Sequence, residues 1–232
     1  ILNSYDSAGK LVYYVAPSAA SRDAFAATLR GLRAKYPCDL FVLSIHSNEP
    51  EYVREASARK KEWFARLASC GVDIVWGHHP HVMQGWELLT VQPGAESTDP
   101  LPLPDGSATV PAVNTARQAL CMYSMGNFIS GQRYRPERAN PDGSREYTGD
   151  AVLLRVKARA EKRGAPVTLS VEPVPVTNYT DPASGVIVRQ FTGPFIESLS
   201  PAWRSYYTER YRLMTSYLPL LPDPPGKAIL LE

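Results

Sequence analysis

Three of the chain's four histidines fall within the run Gly77-His78-His79-Pro80-His81, and the fourth, His46, ends a separate apolar run. Imidazole nitrogens gathered in this way suit a divalent cation. Residues two apart in an extended segment face one side, so His79 and His81 are expected to converge, and Pro80 keeps His79 out of the helical region. His46 adds a third neutral imidazole, enough for a site that keeps a position open for water or substrate. A cation held there polarises a substrate oxygen and lowers the pKa of a coordinated water to roughly 7. His78, one residue out of phase, is expected to face away or to support a ligand. Glu49 and Glu51 follow His46 closely and are candidates for steadying a ligand or acting as general base, with solvated loop carboxylates an equally good account. A lone histidine after a strand is more often a surface residue; the clustering is what favours ligation.

These side chains need strands to deliver them. The apolar runs 39–45 and 72–76 read as strands whose carboxyl ends carry His46 and the histidine triplet, and ligands of doubly wound sheets bind beyond such ends. Ser21 is expected to cap a helix with Phe25, Leu29, Leu32 and Tyr36 on one face, and a strand at 11–15 precedes it. A second helix should turn Trp63, Phe64 and Leu67 inward and its charges outward, with Gly71 ending it. The resulting strand-helix-strand-helix-strand order, with continuous apolar strands, predicts a parallel sheet covered on both faces.

Beyond His81 a strand is expected at 85–91, then an irregular insertion over 92–118 rich in Pro, Gly, Ser and Thr. The run 119–124 returns to the sheet and delivers Asn127. Arg133, Arg135, Arg138 and Arg145 follow in a polar loop, where anion recognition competes with an ordinary solvated loop. A hairpin is expected from 151–156 and 167–176, and a helix begins at Ser200-Pro201 with Trp203, Tyr207, Met214 and Tyr217 on one face until Pro219 stops it. The division is one domain over 1–218 and a tail over 219–232. Cys38, Cys70 and Cys121 lack metal-ligand spacing and read as small buried hydrophobes.

A net charge of +2 over 232 residues argues against a nucleic-acid surface. No apolar run approaches the roughly 20 residues of a membrane span.

Three stretches together carry a resemblance: Leu43-Ser44-Ile45-His46 followed by Glu51-Tyr52, the run from Gly71 through His78-His79-Pro80-His81 to Gln84, and Met122-Tyr123-Ser124-Met125-Gly126-Asn127-Phe128. Their order and spacing resemble the bacterial capsule-synthesis (CapA/PgsA, poly-gamma-glutamate) family, related to calcineurin-like metallophosphoesterases, over roughly the first 130 residues. The resemblance implies an α/β/β/α sandwich with a divalent metal (Mn, Fe or Zn) at the sheet edge, held by His46, His79 and His81. It makes His46, Asn127 and Glu51 the catalytic candidates. Ser47-Asn48 stands where the family has Trp-Gly. The family's upstream Gly-Asp, Asn-Leu-Glu and Asn-Asn-His motifs do not occur here, so the chain is expected to be amino-terminally incomplete and to hold half of a dinuclear centre. The expected substrate is an anionic polymer or a phosphoester, with membrane attachment through a missing amino-terminal segment, a cell-envelope location and no assigned oligomeric state. Two rivals are a non-catalytic part in assembling or exporting an anionic surface polymer, and a phosphoesterase acting on a small or nucleotide substrate.

Overall fold

The computed structural model describes residues 14–47, 49–92, 101–102, 109–110, 116–162, 165–218, 221 and 226. Helix α1 (Ala19–Lys35) leads to β1 (Val42–His46), α2 (Ala58–Ser69), β2 (Ile74–His78), β3 (Met83–Val91), a short pair β4 (Leu101–Pro102) and β5 (Thr109–Val110), and β6 (Arg117–Met125). A six-residue 3-10 turn (Ser144–Gly149) precedes β7 (Asp150–Arg159), β8 (Thr168–Asp181), β9 (Gly185–Gln190), α3 (Gly193–Ser198) and α4 (Pro201–Tyr217).

The first sheet has the order β1-β2-β6-β3, and the second has the order β7-β8-β9. Strands β1, β2 and β6 are parallel, but β3 runs antiparallel to β6, so the sheet is mixed rather than purely parallel. Only four residues separate β2 from β3, too few for the crossover that a parallel partner requires. One face of this sheet packs against α1 and α2 through Val75, Ala119, Cys121, Phe64 and Leu67. The opposite face, with Leu120, Met122 and Trp86, shares a second cluster with Val152, Leu169 and the aromatic face of α4. These are the layers of an α/β/β/α fold. Coverage of that second face stops short of β1: Val42, Ser44 and His46 are exposed, and Trp76 is 36% exposed beside them.

Several local expectations shift. Helix α1 starts a turn before Ser21, because Ser18 accepts the Ser21 backbone N–H at 3.1 Å and Ala19-Ala20 complete the first turn. Its buried stripe is Phe25, Ala26 and Leu29, whereas Leu32 and Tyr36 are 42% and 59% exposed as the helix runs past the sheet. Helix α2 has Ser57 as its cap, and Gly71 takes φ +102 just beyond its end, a conformation that glycine adopts freely. Its charges are not all outward, since Lys60 is buried. The hairpin gains a third strand, β9, after a turn in which Asp181 accepts the N–H groups of Ala183 and Ser184. Of the strand expected at 11–15, residues 11–13 lie outside the described residues, and Tyr14 and Val15 are not in a strand. Most of 92–118, Pro219 and nearly all of the tail also lie outside them. All three cysteines are free; Cys70 and Cys121 are buried, while Cys38 is exposed. Among the described residues no helix is long and apolar enough to cross a membrane.

Two buried carboxylates, each set between two arginines, tie the layers together. At the start of β2, Asp73 accepts from the Phe41 N–H at 2.7 Å, Arg33 at 2.8 Å and Arg117 at 3.1 Å. At the start of β7, Asp150 accepts from Arg133 at 2.8 Å and from Arg210 of α4 at 2.9 and 2.5 Å, all three side chains being fully buried. Arg133, expected among the anion-recognition candidates, is therefore a structural cation. A Cβ on Gly149 would collide with its guanidinium.

Removing one partner of such a group leaves uncompensated buried charge, so Asp150→Asn should lower the unfolding free energy by about 3–5 kcal/mol in urea titrations at neutral pH. Burial alone would raise the Asp150 pKa, but Arg133 and Arg210 outweigh it and hold the carboxyl below its ordinary value. Its stabilisation is thus complete above the unfolded-state carboxylate value of about 3.9 and is lost as pH falls below it. The gap between wild type and Asp150→Asn should accordingly narrow in acid.

Candidate functional site

Strands β1 and β2 pair in parallel register with His46 opposite His78, which brings both histidine segments to one edge of the sheet. Ser47 fixes the exit of β1: its N–H and its hydroxyl both donate to the His78 carbonyl, at 3.1 and 3.2 Å. Gly77 allows the close approach just before the triplet, because a Cβ there would stand 2.7 Å from the Met122 carbonyl oxygen and 2.9 Å from the Phe64 ring.

The chain then turns sharply. His79 has φ +106, the one positive value outside glycine among the described residues. A β-carbon in that region costs about 1–3 kcal/mol and persists where the surroundings over-determine it. Here Ser124 holds the Pro80 carbonyl at 3.0 Å, and the His81 N–H donates to the Glu51 carbonyl at 2.7 Å. His79 and His81 are therefore not on one side of an extended segment, as the spacing suggested; the turn gives each its own partner.

His79 Nδ1 lies 3.0 Å from His46 Nε2. Two nitrogen ligands on one cation, each about 2.0–2.1 Å from it, stand about 2.8–3.4 Å apart for ligand angles of about 90–110°, so this pair has the spacing of neighbouring ligands. Burial, followed by the nearby His79 and His81, holds the His46 pKa below its ordinary value and favours the neutral, lone-pair-bearing ring. His81 Nδ1 lies 2.9 Å from Asn127 Oδ1. The Asn127 amide nitrogen donates to Ser130 Oγ, Gln132 Oε1 and the Thr148 carbonyl at 3.2, 2.9 and 3.2 Å. Three acceptors on the NH2 group fix the amide's orientation, so Oδ1 must accept a proton from His81 Nδ1. The Nε2 lone pair of His81 is thereby left for a ligand. Tyr52 stacks on the His81 ring, with centroids 6.0 Å apart.

The remaining candidates separate. His78 Nε2 turns to Ser44 Oγ at 3.1 Å, and its ring packs against Trp76. Glu51 reaches the site through its backbone carbonyl, while its carboxylate neighbours the Tyr52 hydroxyl. Glu49 belongs to a cluster that the sequence reading did not foresee. Lys60 Nζ donates to Gln84 Oε1 at 2.8 Å and pairs with Glu49 at 3.4 Å; Gln84 also holds the Val53 carbonyl, and Ser57 donates to Glu49. Burial would raise the Glu49 pKa, but Ser57, Lys60 and Gln84 together bring it below its ordinary value. This cluster anchors the loop after β1 to α2 and β3. A lysine at the start of an amphipathic helix carries no sequence sign of burial; only Ser124 and Gln84, polar residues inside apolar strands, offered a signal.

Among the described residues no group of three or more His, Cys, Asp or Glu side chains is positioned to hold a metal ion. The donor set nonetheless fits one in part: His46 and His79 have ligand spacing, and His81 presents a free Nε2 in the orientation its Asn127 contact imposes.

Two comparisons with known proteins bear on this geometry. The family model described as "Bacterial capsule synthesis protein PGA_cap" matches residues 3–132, more than half of the 232 residues and everything from His46 to Gln132. The chain is also similar to the capsule biosynthesis protein CapA of Bacillus anthracis, 28% identical over 94 residues. That stretch takes in 40% of this chain and 16% of the relative.

The positive φ of His79 generates a test that needs no activity. Glycine relieves the backbone strain and alanine does not, so His79→Gly should be more stable than His79→Ala by about 1 kcal/mol in chemical denaturation.

Proposed function

The chain belongs to the bacterial capsule-synthesis family, and from that premise we propose that it carries a metal-dependent, hydrolase-like site serving the synthesis of an anionic surface polymer in the cell envelope. The observation that carries this reading is the His46–His79 nitrogen pair at 3.0 Å beside a His81 ring whose Nδ1 is engaged by Asn127. His46, His79 and His81 would hold the cation, as neutral rings donating through Nε2, Nδ1 and Nε2 respectively. Bound there, a divalent ion such as Mn, Fe or Zn supplies Lewis acidity toward an ester, amide or phosphoester oxygen.

The rest of the chemistry falls to the chain's own groups. Asn127 accepts from His81 Nδ1 and so makes Nε2 the lone-pair nitrogen of the neutral ring. Tyr52 covers one face of the His81 ring and limits its rotation. The Glu51 carboxylate, at the exposed side of Tyr52, is the general-base candidate, able to take a proton from an attacking water or hydroxyl. The matched stretch is 16% of the relative's length, and a dinuclear centre would need donors beyond these three histidines.

Elemental analysis of the full-length protein should find Mn, Fe or Zn. His79→Ala should abolish it, while an unchanged metal content would sink the ligand assignment. Asn127→Leu, which removes the acceptor and leaves the ring in place, should weaken metal affinity by about 10–100-fold in a chelator competition. Because the ligands must be unprotonated, retention should also fall as the solution is acidified below the ordinary histidine value of about 6.5. A full metal load with no turnover of any phosphodiester or amide substrate would favour the assembly role over the catalytic one.

A further inference from the structure

Against the histidine site lies a cavity of about 310 Å3 lined by Tyr52, Gln132, Ser144, Arg145 and Thr148. Two of its walls are the site's own supports. Tyr52 stacks on His81, and Gln132 accepts from the Asn127 amide while its own amide donates to the Tyr52 hydroxyl at 3.4 Å. Whatever occupies the cavity is therefore one side chain away from His81.

The only charged residue lining the cavity is Arg145. Its Nε donates to the Gln132 carbonyl at 2.6 Å, which pins the guanidinium plane, and its two terminal nitrogens have no partner among the described residues. That sets it apart from Arg133 and Arg210, and its place in the cavity wall sets it apart from Arg135 and Arg138. Arg133 and Arg210 spend their forks on Asp150 and on carbonyls, and Arg138 lies over the Trp203 ring. A planar fork held by one nitrogen, with two parallel N–H groups left over, matches the geometry of a carboxylate or phosphate. Ser144 and Tyr52 line the same cavity, residues able to add a neutral hydroxyl donor and an aromatic wall. Ser144, Arg145 and Thr148 also lie beyond residues 3–132, so this wall comes from the part of the chain outside the family match.

We propose that this cavity is a recognition subsite for an oxyanion, a carboxylate or a phosphate, carried by the substrate beside the bond that faces His81, with Arg145 as its specificity-determining residue. Its place in a reaction rests on the function proposed above, but the anion contact itself does not need the cation.

The test is an NMR titration of the 15N-labelled full chain in chelator with glutarate, with glutaramide as its uncharged counterpart, and with inorganic phosphate. Wild type should bind glutarate or phosphate and not glutaramide. Arg145→Gln should weaken that binding at least tenfold, Arg145→Lys less so, and His79→Ala should leave it unchanged. Glutarate alone marks a carboxylate-bearing substrate, and phosphate alone marks a phosphoester. Equal affinity in Arg145→Gln, equal binding of glutaramide, or no binding of either anion by wild type would overturn the subsite. Loss of binding in His79→Ala would do the same by moving the anion to the histidines. Failure of the metal reading has a different signature, unchanged metal content in His79→Ala with Arg145-dependent anion binding intact.

Discussion

The fully buried Asp150 carboxylate, held between Arg133 and Arg210, is the interaction on which the site ultimately depends. Arg133 reaches it from the loop after β6 and also donates to the carbonyls of Glu146, Gly149 and Asn178. The loop thus folds around one cation instead of around an apolar core. That closure sets the Thr148 carbonyl and Gln132 where the Asn127 amide needs them, and the amide in turn dictates which nitrogen of His81 keeps its proton. A charge triad at the junction of β7 and α4 therefore governs the lone pair of a histidine at the edge of the other sheet. Such an arrangement is costly to desolvate, and once formed it cannot lose one partner without leaving a buried charge unpaired.

The first sheet and both covering helices were legible because apolar runs and caps report them directly. The same holds for the delivery of His46 and the triplet to one edge, whereas the α/β/β/α class came with the family resemblance. The mixed direction of β3 was hidden because an apolar run looks the same in either direction; the four-residue link after β2 was the available clue. The extent of exposure along β1 was equally hidden, since coverage depends on what packs above a strand and not on its own residues. Strand β9 has its sequence signal in Asp181 and Gly185 around a tight turn and in the β-branched run Val186-Ile187-Val188.

Around the histidines, residue type picked out His46 and His79, which the fold brings into contact, while spacing misjudged how His79 and His81 are arranged. The rule that alternate residues share a face assumes extended backbone, and His79 breaks it with a positive φ. Pro80 excluded the helix without predicting the turn. The separation of Arg133 from Arg145 was also beyond the sequence. Both stand in one polar loop, yet one meets a buried carboxylate 17 residues on and the other a carbonyl 13 residues back. Long-range partners decide whether an arginine is a strut or a receptor.

The parallel register that sets His46 opposite His78 carries a further consequence. Side chains on a strand alternate, so a slip of one residue between β1 and β2 would send His46 to the helix-covered face and bring Ile45 to the edge. The His46–His79 contact exists in one register alone. Any ion that binds both rings draws the folding equilibrium toward that register by mass action, and the mis-registered sheet gains nothing from it. The cation would then act as a proofreader of strand pairing as well as a reagent.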